Sequence, residues 1–321
     1  MMKILMTEPL HPSGQERFEQ HPDVELITPE GLTEEALIEA VDGVQGIAVR
    51  SAKLTPAVID AARSLKAVSR HGVGYDNIAV NTLSDRGIPL LLAIHANAVS
   101  VAEHTFFFIL CLAKRGRLYD AAARASNFAF RNAPVAIDIA EKTLTIVGFG
   151  RIGTRLAPRA LAFDMKVNVY DPYVADEVIR SAGCTPVTHL ADVLGQTDFL
   201  TVHCPLNDET RGIVGAAELA LMPPSSFVIN CARGGIVNES ALAQAVAEDQ
   251  IAGAGIDVYE TEPPSQNHPF LSSDKMYLSP HSAGVSIEAA TRMSFETADN
   301  LLAALEGDVR YEALANPDVI D

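Results

Sequence analysis

Thr143-Leu-Thr-Ile-Val-Gly-Phe-Gly-Arg-Ile-Gly153 decides how this chain folds. A short apolar run ends in Gly148-x-Gly150-x-x-Gly153, and a second run, Val167 to Tyr170, ends on Asp171. A dinucleotide-binding βαβ unit requires this order. The first glycine makes the tight turn, the second lets the backbone approach a pyrophosphate, and the third lets the helix pack on the strand. Backbone N–H groups at the helix N-terminus meet the pyrophosphate charge, and Asp171 can accept hydrogen bonds from the adenosine ribose. Three glycines so spaced also occur in ordinary turns. Here the preceding strand, the amphipathic Ile152–Leu161 segment and the spaced acid all agree.

Outward from this unit, strand-like and helix-like segments alternate. Lys3–Met6, Val24–Ile27, Gly46–Val49, Ala67–Ser69 and Pro89–Leu92 read as strands, with helical patterns at Thr33–Val41, Thr55–Ala62 and Ile78–Arg86 between them. Strands recur at Val167–Tyr170, Phe199–Val202, Phe227–Asn230, Gly253–Ile256 and Met276–Leu278. Ala98–Arg124, free of proline and carrying only Gly116, predicts one long helix linking two halves. Ser286–Leu305 predicts a second long amphipathic helix that crosses back. The fold class is therefore α/β, with two doubly wound parallel-sheet domains and a Rossmann cofactor domain inserted into a flavodoxin-like substrate domain. The expected boundaries are 1–97 plus 286–321 for the substrate-binding domain and 98–285 for the NAD-binding domain. The active site is expected between them, at the carboxyl ends of the cofactor-domain strands.

The 321 residues are 48% hydrophobic and 20% charged, which suits a globular enzyme with a large core. A net charge of −17 argues against nucleic acid and against anionic membranes as partners. It also means that an anionic substrate must be drawn in by locally placed arginines. Cys111, Cys184, Cys204 and Cys231 form no C-x-x-C pair and no cluster with histidine, so free thiols in a reducing compartment are expected, with no metal. Met1-Met-Lys-Ile-Leu-Met is broken too soon by Thr7-Glu8-Pro9 to be a signal peptide, and the longest apolar run, Phe106 to Ala113, is too short to span a bilayer. A cytoplasmic location is expected.

A nicotinamide only gives or takes a hydride, so the protein must supply a substrate anchor, a proton donor or acceptor, and orientation. Arg233, in Asn230-Cys-Ala-Arg-Gly-Gly-Ile-Val237, follows an apolar strand and precedes two glycines. A guanidinium there can grip a carboxylate with two parallel hydrogen bonds, although an arginine capping the next helix would look the same. His281, in Ser279-Pro-His-Ser-Ala-Gly284, also follows a strand, and imidazole is suited to reversible proton transfer near neutral pH. A carboxylate beside it would favour the imidazolium and keep a proton available. In Asp257-Val-Tyr-Glu-Thr-Glu-Pro-Pro264, both Glu260 and Glu262 meet that need on spacing.

These motifs together resemble the D-2-hydroxyacid dehydrogenase family, nearest to its phosphoglycerate dehydrogenase branch. The likeness extends through Val49-Arg-Ser51, Ser69-Arg-His-Gly-Val-Gly-Tyr-Asp-Asn-Ile78 and Asn97-Ala-Val-Ser-Val-Ala-Glu-His-Thr105, and so covers most of the chain. The resemblance implies a catalytic set of Arg233, Glu262 and His281, and so selects Glu262 over Glu260. Arg233 would orient substrate, and His281 would exchange the proton with Glu262 in support. NAD is the implied cofactor, with Gly148, Gly150, Arg151, Ile152 and Gly153 at the pyrophosphate and Asp171 at the ribose. His203, Cys204, Pro205, Thr210, Cys231, Ala232 and Gly284 would line the cofactor, with Arg233 and His281 adjoining it and Asp257 holding the nicotinamide amide. Val73 and Gly74 would bind the substrate carboxylate by their backbone near Asn97, with Arg50 and Ser51 at the outer end of the pocket.

The expected reaction is the NAD-dependent interconversion of a D-2-hydroxy acid and its 2-keto acid. Asp171 would repel a 2′-phosphate, and the next basic residue is Arg180, so NAD is favoured over NADP. Arg50 and His71 would suit a second anionic group on the substrate, as in 3-phosphoglycerate. Ser282 stands where an apolar residue is common and His71 where a small one is common; both bear on the substrate rather than the reaction. A short form without a C-terminal regulatory domain is expected, as is a homodimer through the cofactor domain, using the Ala98–Arg124 helix and the following arm. Competing readings are a hydroxypyruvate/glyoxylate reductase, a formate- or phosphite-oxidising dehydrogenase, and a dinucleotide-sensing corepressor without turnover.

Overall fold

The computed structural model describes residues 1–320; Asp321, the last position assigned above to the substrate domain, lies outside them. The chain separates into two compact units, Met1–Asn97 with Val285–Asp321, and Ala98–Gly284.

In the first unit, β1 (Met2–Met6), β2 (Val24–Ile27), β3 (Gly46–Val49), β4 (Ala67–Arg70) and β5 (Leu90–Leu92) form a sheet in the order β2-β1-β3-β4-β5. Every pairing is parallel. This is the flavodoxin-like winding. Because side chains alternate across a strand, one chain feeds two cores. Leu5, Ile47, Val49, Leu90 and Leu92 face one cluster, and Ile4, Met6, Ala48 and Leu91 face the other. Burial on both faces is why these strands read as unbroken apolar runs. The helix Ile287–Leu305 covers the second face, packing on β3, β4 and β5 and against the helix Pro12–Glu19. Its N-cap is Ser286, whose hydroxyl accepts from Ala289 N at 3.0 Å.

In the second unit, β6 (Thr143–Val147), β7 (Lys166–Tyr170), β8 (Thr185–Val187), β9 (Phe199–Val202), β10 (Phe227–Asn230), β11 (Gly253–Ile256) and β12 (Met276–Leu278) are all parallel, in the order β12-β11-β10-β9-β6-β7-β8. The winding reverses between β6 and β9, so the loops that follow these neighbouring strands diverge. A Rossmann sheet binds its ligand at that switch point. Leu144, Ile146, Phe199, Phe227 and Ile229 face one core, and Val147, Leu200, Val202 and Val228 the other.

Two elements differ from the sequence expectation. The single helix expected over Ala98–Arg124 is two, Ala98–Lys114 and Gly116–Arg124, because Arg115 adopts a left-handed conformation with φ 50°. Tertiary contacts favour the break. The Arg115 guanidinium lies 5.5 Å from the centre of the Phe227 ring and that of Arg117 lies 4.2 Å from the Tyr277 ring, while Arg117 N donates to Tyr277 Oη at 3.1 Å. The strand β8 was not expected, since Pro186 interrupts it. It is tolerated because β8 is an edge strand, where one missing N–H costs no ladder bond.

The free edge of β5 is covered by the C-terminal segment: Leu91 bridges Leu314 antiparallel, and Ala315 N donates to Leu90 O at 2.8 Å. Asn316, 6% exposed, accepts from Leu90 N at 2.8 Å and donates to Ile88 O at 3.0 Å and Ser84 Oγ at 3.1 Å. Replacing Asn316 with alanine leaves a buried amide without its acceptor, an expected cost of about 1–3 kcal/mol. A lowered urea midpoint for the first unit's transition would register it; an unmoved midpoint would contradict this account of the edge.

Candidate active site

Parallel strands bring all their carboxyl ends to one edge of the second unit's sheet. The Gly148 loop follows β6, Asp171 follows β7, His203 follows β9, Cys231–Arg233 follow β10, Asp257 follows β11 and His281 follows β12.

The glycine loop is fixed sterically. Gly148 has φ 97°, and a Cβ there would lie 2.8 Å from Cys204 N. A Cβ on Gly153 would lie 2.3 Å from Gly148 O, so the helix Gly153–Ala162 starts tight against the turn. A Cβ on Gly150 would meet no protein atom within 4 Å, which leaves the space a pyrophosphate needs beside the backbone. The Asp171 carboxylate is held to the loop, accepting from Phe149 N at 2.7 Å and Tyr173 N at 2.9 Å. Arg151 and Ile152 lie within the loop, before the first helical residue.

The structure brings Glu262 and His281 together: His281 Nδ1 lies 2.7 Å from Glu262 Oε2. Glu262 Oε1 accepts from Tyr259 N at 3.1 Å. Glu260, the alternative on spacing, has its side chain beside Gly235, where an added Cβ would lie 3.8 Å from Glu260 Cγ, and its backbone N–H donates to Glu239 Oε1 at 2.7 Å. The Arg233 loop is pressed on this segment, since a Cβ on Gly234 would lie 2.1 Å from Tyr259 C. Arg233 Nη1 donates to Ala232 O at 2.7 Å, and Asn230 ties the turn by donating to Arg233 O at 2.8 Å and accepting from Ala232 N at 3.0 Å.

Asp257 is 1% exposed. Its carboxylate accepts from Ser282 N at 2.8 Å, Ala283 N at 2.9 Å and the Ser279 hydroxyl, and its carbonyl accepts from His281 N at 2.7 Å. It fixes the loop that bears His281 and ends at Gly284. Among the remaining positions, burial pushes the His203 imidazole down to about 3, and its Nε2 lies 3.0 Å from Thr201 Oγ1. Its buried Nδ1 has no hydrogen-bond partner among the described residues. Burial raises the Cys204 thiol to about 11 and raises Cys231 further, so both are neutral thiols. Thr210 closes the turn after Pro205 by donating to its carbonyl.

In the first unit, Arg50 and Ser51 follow β3, Val73 and Gly74 follow β4, and Asn97 lies beyond β5. Glu8, after β1, organises this edge: it accepts from Ser51 N at 2.6 Å, Arg50 N at 3.2 Å and Ala52 N at 3.2 Å, and from the Ser51 and Thr7 hydroxyls. Burial would push its carboxyl up, but the hydrogen bonds from Ser51, Thr7 and the backbone outweigh that and hold it below the usual range. In the sequence Glu8 registered only as a break in an apolar run. His71, expected with Arg50 to suit a second anionic group, lies just after β4. Burial, aided by the guanidinium charges of Arg50 and Arg70, pushes it down to about 4, and its Nε2 faces Ser294 Oγ at 3.0 Å. It is neutral at physiological pH.

A family model described as "D-isomer specific 2-hydroxyacid dehydrogenase, NAD binding domain" matches residues 106–283. The D-3-phosphoglycerate dehydrogenase of Methanocaldococcus jannaschii is 36% identical over 99% of this chain and 60% of its own length. Across that relative and its counterparts from Archaeoglobus fulgidus and Synechocystis, the chain spans between 55% and 60% of the curated protein. Among solved structures, a D-lactate dehydrogenase from Aquifex aeolicus complexed with NAD and lactic acid superposes with TM-score 0.86 at 27% identity, covering 98% of this chain and 99% of that one. An NADPH-dependent glyoxylate/hydroxypyruvate reductase from Sinorhizobium meliloti gives TM-score 0.86 at 27% identity, covering 99% and 98%.

The two loop glycines separate binding from stability. Gly150→Ala is expected to leave thermal unfolding within about 0.5 kcal/mol of the parent while weakening NADH binding, because the added methyl enters ligand space. Gly153→Ala is expected to lower the melting temperature, because the methyl meets backbone. Fluorescence titration with NADH and calorimetry read the two effects; equal destabilisation by both variants would refute the assignment.

Proposed function

We propose that this chain, which belongs to the D-isomer specific 2-hydroxyacid dehydrogenase family, is an NAD-dependent oxidoreductase interconverting a D-2-hydroxy acid and its 2-keto acid. The observation that carries the reading is the 2.7 Å contact of His281 Nδ1 with Glu262. With Nδ1 engaged, Nε2 is the atom left for the substrate oxygen. In the reducing direction Nε2 donates a proton to the carbonyl oxygen, and in the oxidising direction it takes the proton from the hydroxyl. Glu262 supports the imidazolium at the moment it forms. Arg233 grips the substrate carboxylate through its fork of donors and so fixes C2 in place. A bound nicotinamide supplies or accepts the hydride at C2. Asp171, held to the glycine loop, meets the ribose hydroxyls and opposes a 2′-phosphate, which favours NAD.

For the substrate we infer an acid with a second anionic group, 3-phosphoglycerate or a relative of it. The fixed loop at Arg50 and the name of the archaeal relative support this. The neutrality of His71 places the burden of that charge on arginine. The same observation favours the second reading, a hydroxypyruvate/glyoxylate reductase, for which the bacterial structural relative stands. Rates with NADH and hydroxypyruvate, glyoxylate, pyruvate, oxaloacetate and phosphohydroxypyruvate separate the two, and equal rates for charged and uncharged side groups would remove the case for a distal anion site. His281→Asn is expected to lower kcat by about 10²–10⁴ with NADH binding retained. Asp171→Asn is expected to narrow the preference for NAD. Full activity in His281→Asn would end the proposal.

We also infer a homodimer formed through the second unit. No residue of the helix Gly116–Arg124 is buried, and Phe128, Phe107, Leu118 and Val135 are 70%, 51%, 46% and 40% exposed. Sedimentation equilibrium should return twice the 34.3 kDa chain mass; a monomer at micromolar concentration would overturn this. The four free thiols support a reducing, cytoplasmic setting. No helix among the described residues is long and apolar enough to cross a membrane.

A further inference from the structure

We propose that His104 and Ser279 form, with the buried Asp257, a part-buried hydrogen-bonded brace that holds the His281 loop in place, which makes both of them positioning residues for proton transfer. The inference rests on the reading of His281 as the proton donor.

His281 has φ 52°, a left-handed conformation that a residue with a side chain adopts only when its surroundings impose it. Asp257 imposes it, since its carbonyl and carboxylate take the N–H groups of three successive residues, His281, Ser282 and Ala283. A carboxylate can do this only if it is itself fixed. The Ser279 hydroxyl donates to Asp257 Oδ1 and lies 3.0 Å from His104 Nε2. An ionised carboxylate only accepts, so the single hydroxyl proton points to Asp257. The contact with His104 must then be donated by Nε2–H. Burial pushes His104 below the usual histidine range, partly offset by the Asp257 charge, which favours the neutral ring that this Nε2–H tautomer requires. The ring is seated by the helix Ala98–Lys114: it meets Phe108 edge-on at 4.6 Å between ring centres and Phe107 at 5.5 Å. Phe108 is 1% exposed, so the donor is anchored in the core.

A brace and mere packing make opposite demands on position 104. His104→Phe keeps an aromatic ring and loses the donor, whereas His104→Gln loses the ring and keeps an N–H donor. With the best keto acid, His104→Phe and Ser279→Ala are expected to lower kcat about tenfold or more, with substrate KM and NADH binding little changed. Both should speed hydrogen exchange at the Ser282 and Ala283 amides. His104→Gln should recover most of the rate and the protection. NADH titration checks that each variant is folded. If His104→Phe matches the parent in rate and exchange, or if His104→Gln is the damaged variant, the ring acts by packing and the brace is wrong. If no keto acid is turned over by the parent, the catalytic reading fails by itself, and the exchange measurement alone decides on the brace.

Discussion

Uniform strand direction is the constraint on which this molecule depends. Every ladder in both sheets is parallel, so within each sheet all the strands end at one edge and the loops that follow them open there. Residues far apart in sequence, from the Gly148 turn to His281, are thereby gathered without any one of them needing to be near another along the chain. Parallel strands must be covered on both faces, which accounts for the paired cores in each unit and for the unbroken apolar runs.

Within that frame, four carboxylates act as organisers of main chain. Asp171 binds the glycine loop, Glu8 gathers the amides after β3, Glu239 holds Glu260 N and Asp257 holds the loop after β12. A chain of net charge −17 thus places several of its acids where backbone N–H groups satisfy them, and Glu262 where an imidazole does.

Most strands were legible because each is a short, doubly buried run of Val, Ile, Leu or Phe bounded by turn residues. β8 was not, because its Pro186 is compatible only with an edge position that one sequence does not reveal. The break at Arg115 was invisible for a related reason: local propensity favours continuing the helix, while the rings of Phe227 and Tyr277 that reward stopping lie more than a hundred residues away. In the candidate site, the types and positions of Arg233, Glu262 and His281 could be read, but the choice between Glu260 and Glu262 could not be made from spacing. Geometry distinguishes them, since one carboxylate reaches the imidazole and the other residue is held by Glu239. Neither the protonation state of His71 nor the role of Glu8 has a sequence signature, since both arise from burial and from neighbours on other strands.

The grip of Asp257 on the two residues after His281 goes through their amides and ignores their side chains. Chemical identity at position 282 is therefore uncoupled from loop shape, and a serine there, in place of an apolar residue, leaves the geometry intact. Mutational drift or laboratory diversification at 282 can retune the polarity next to the imidazole without dismantling the turn that presents it.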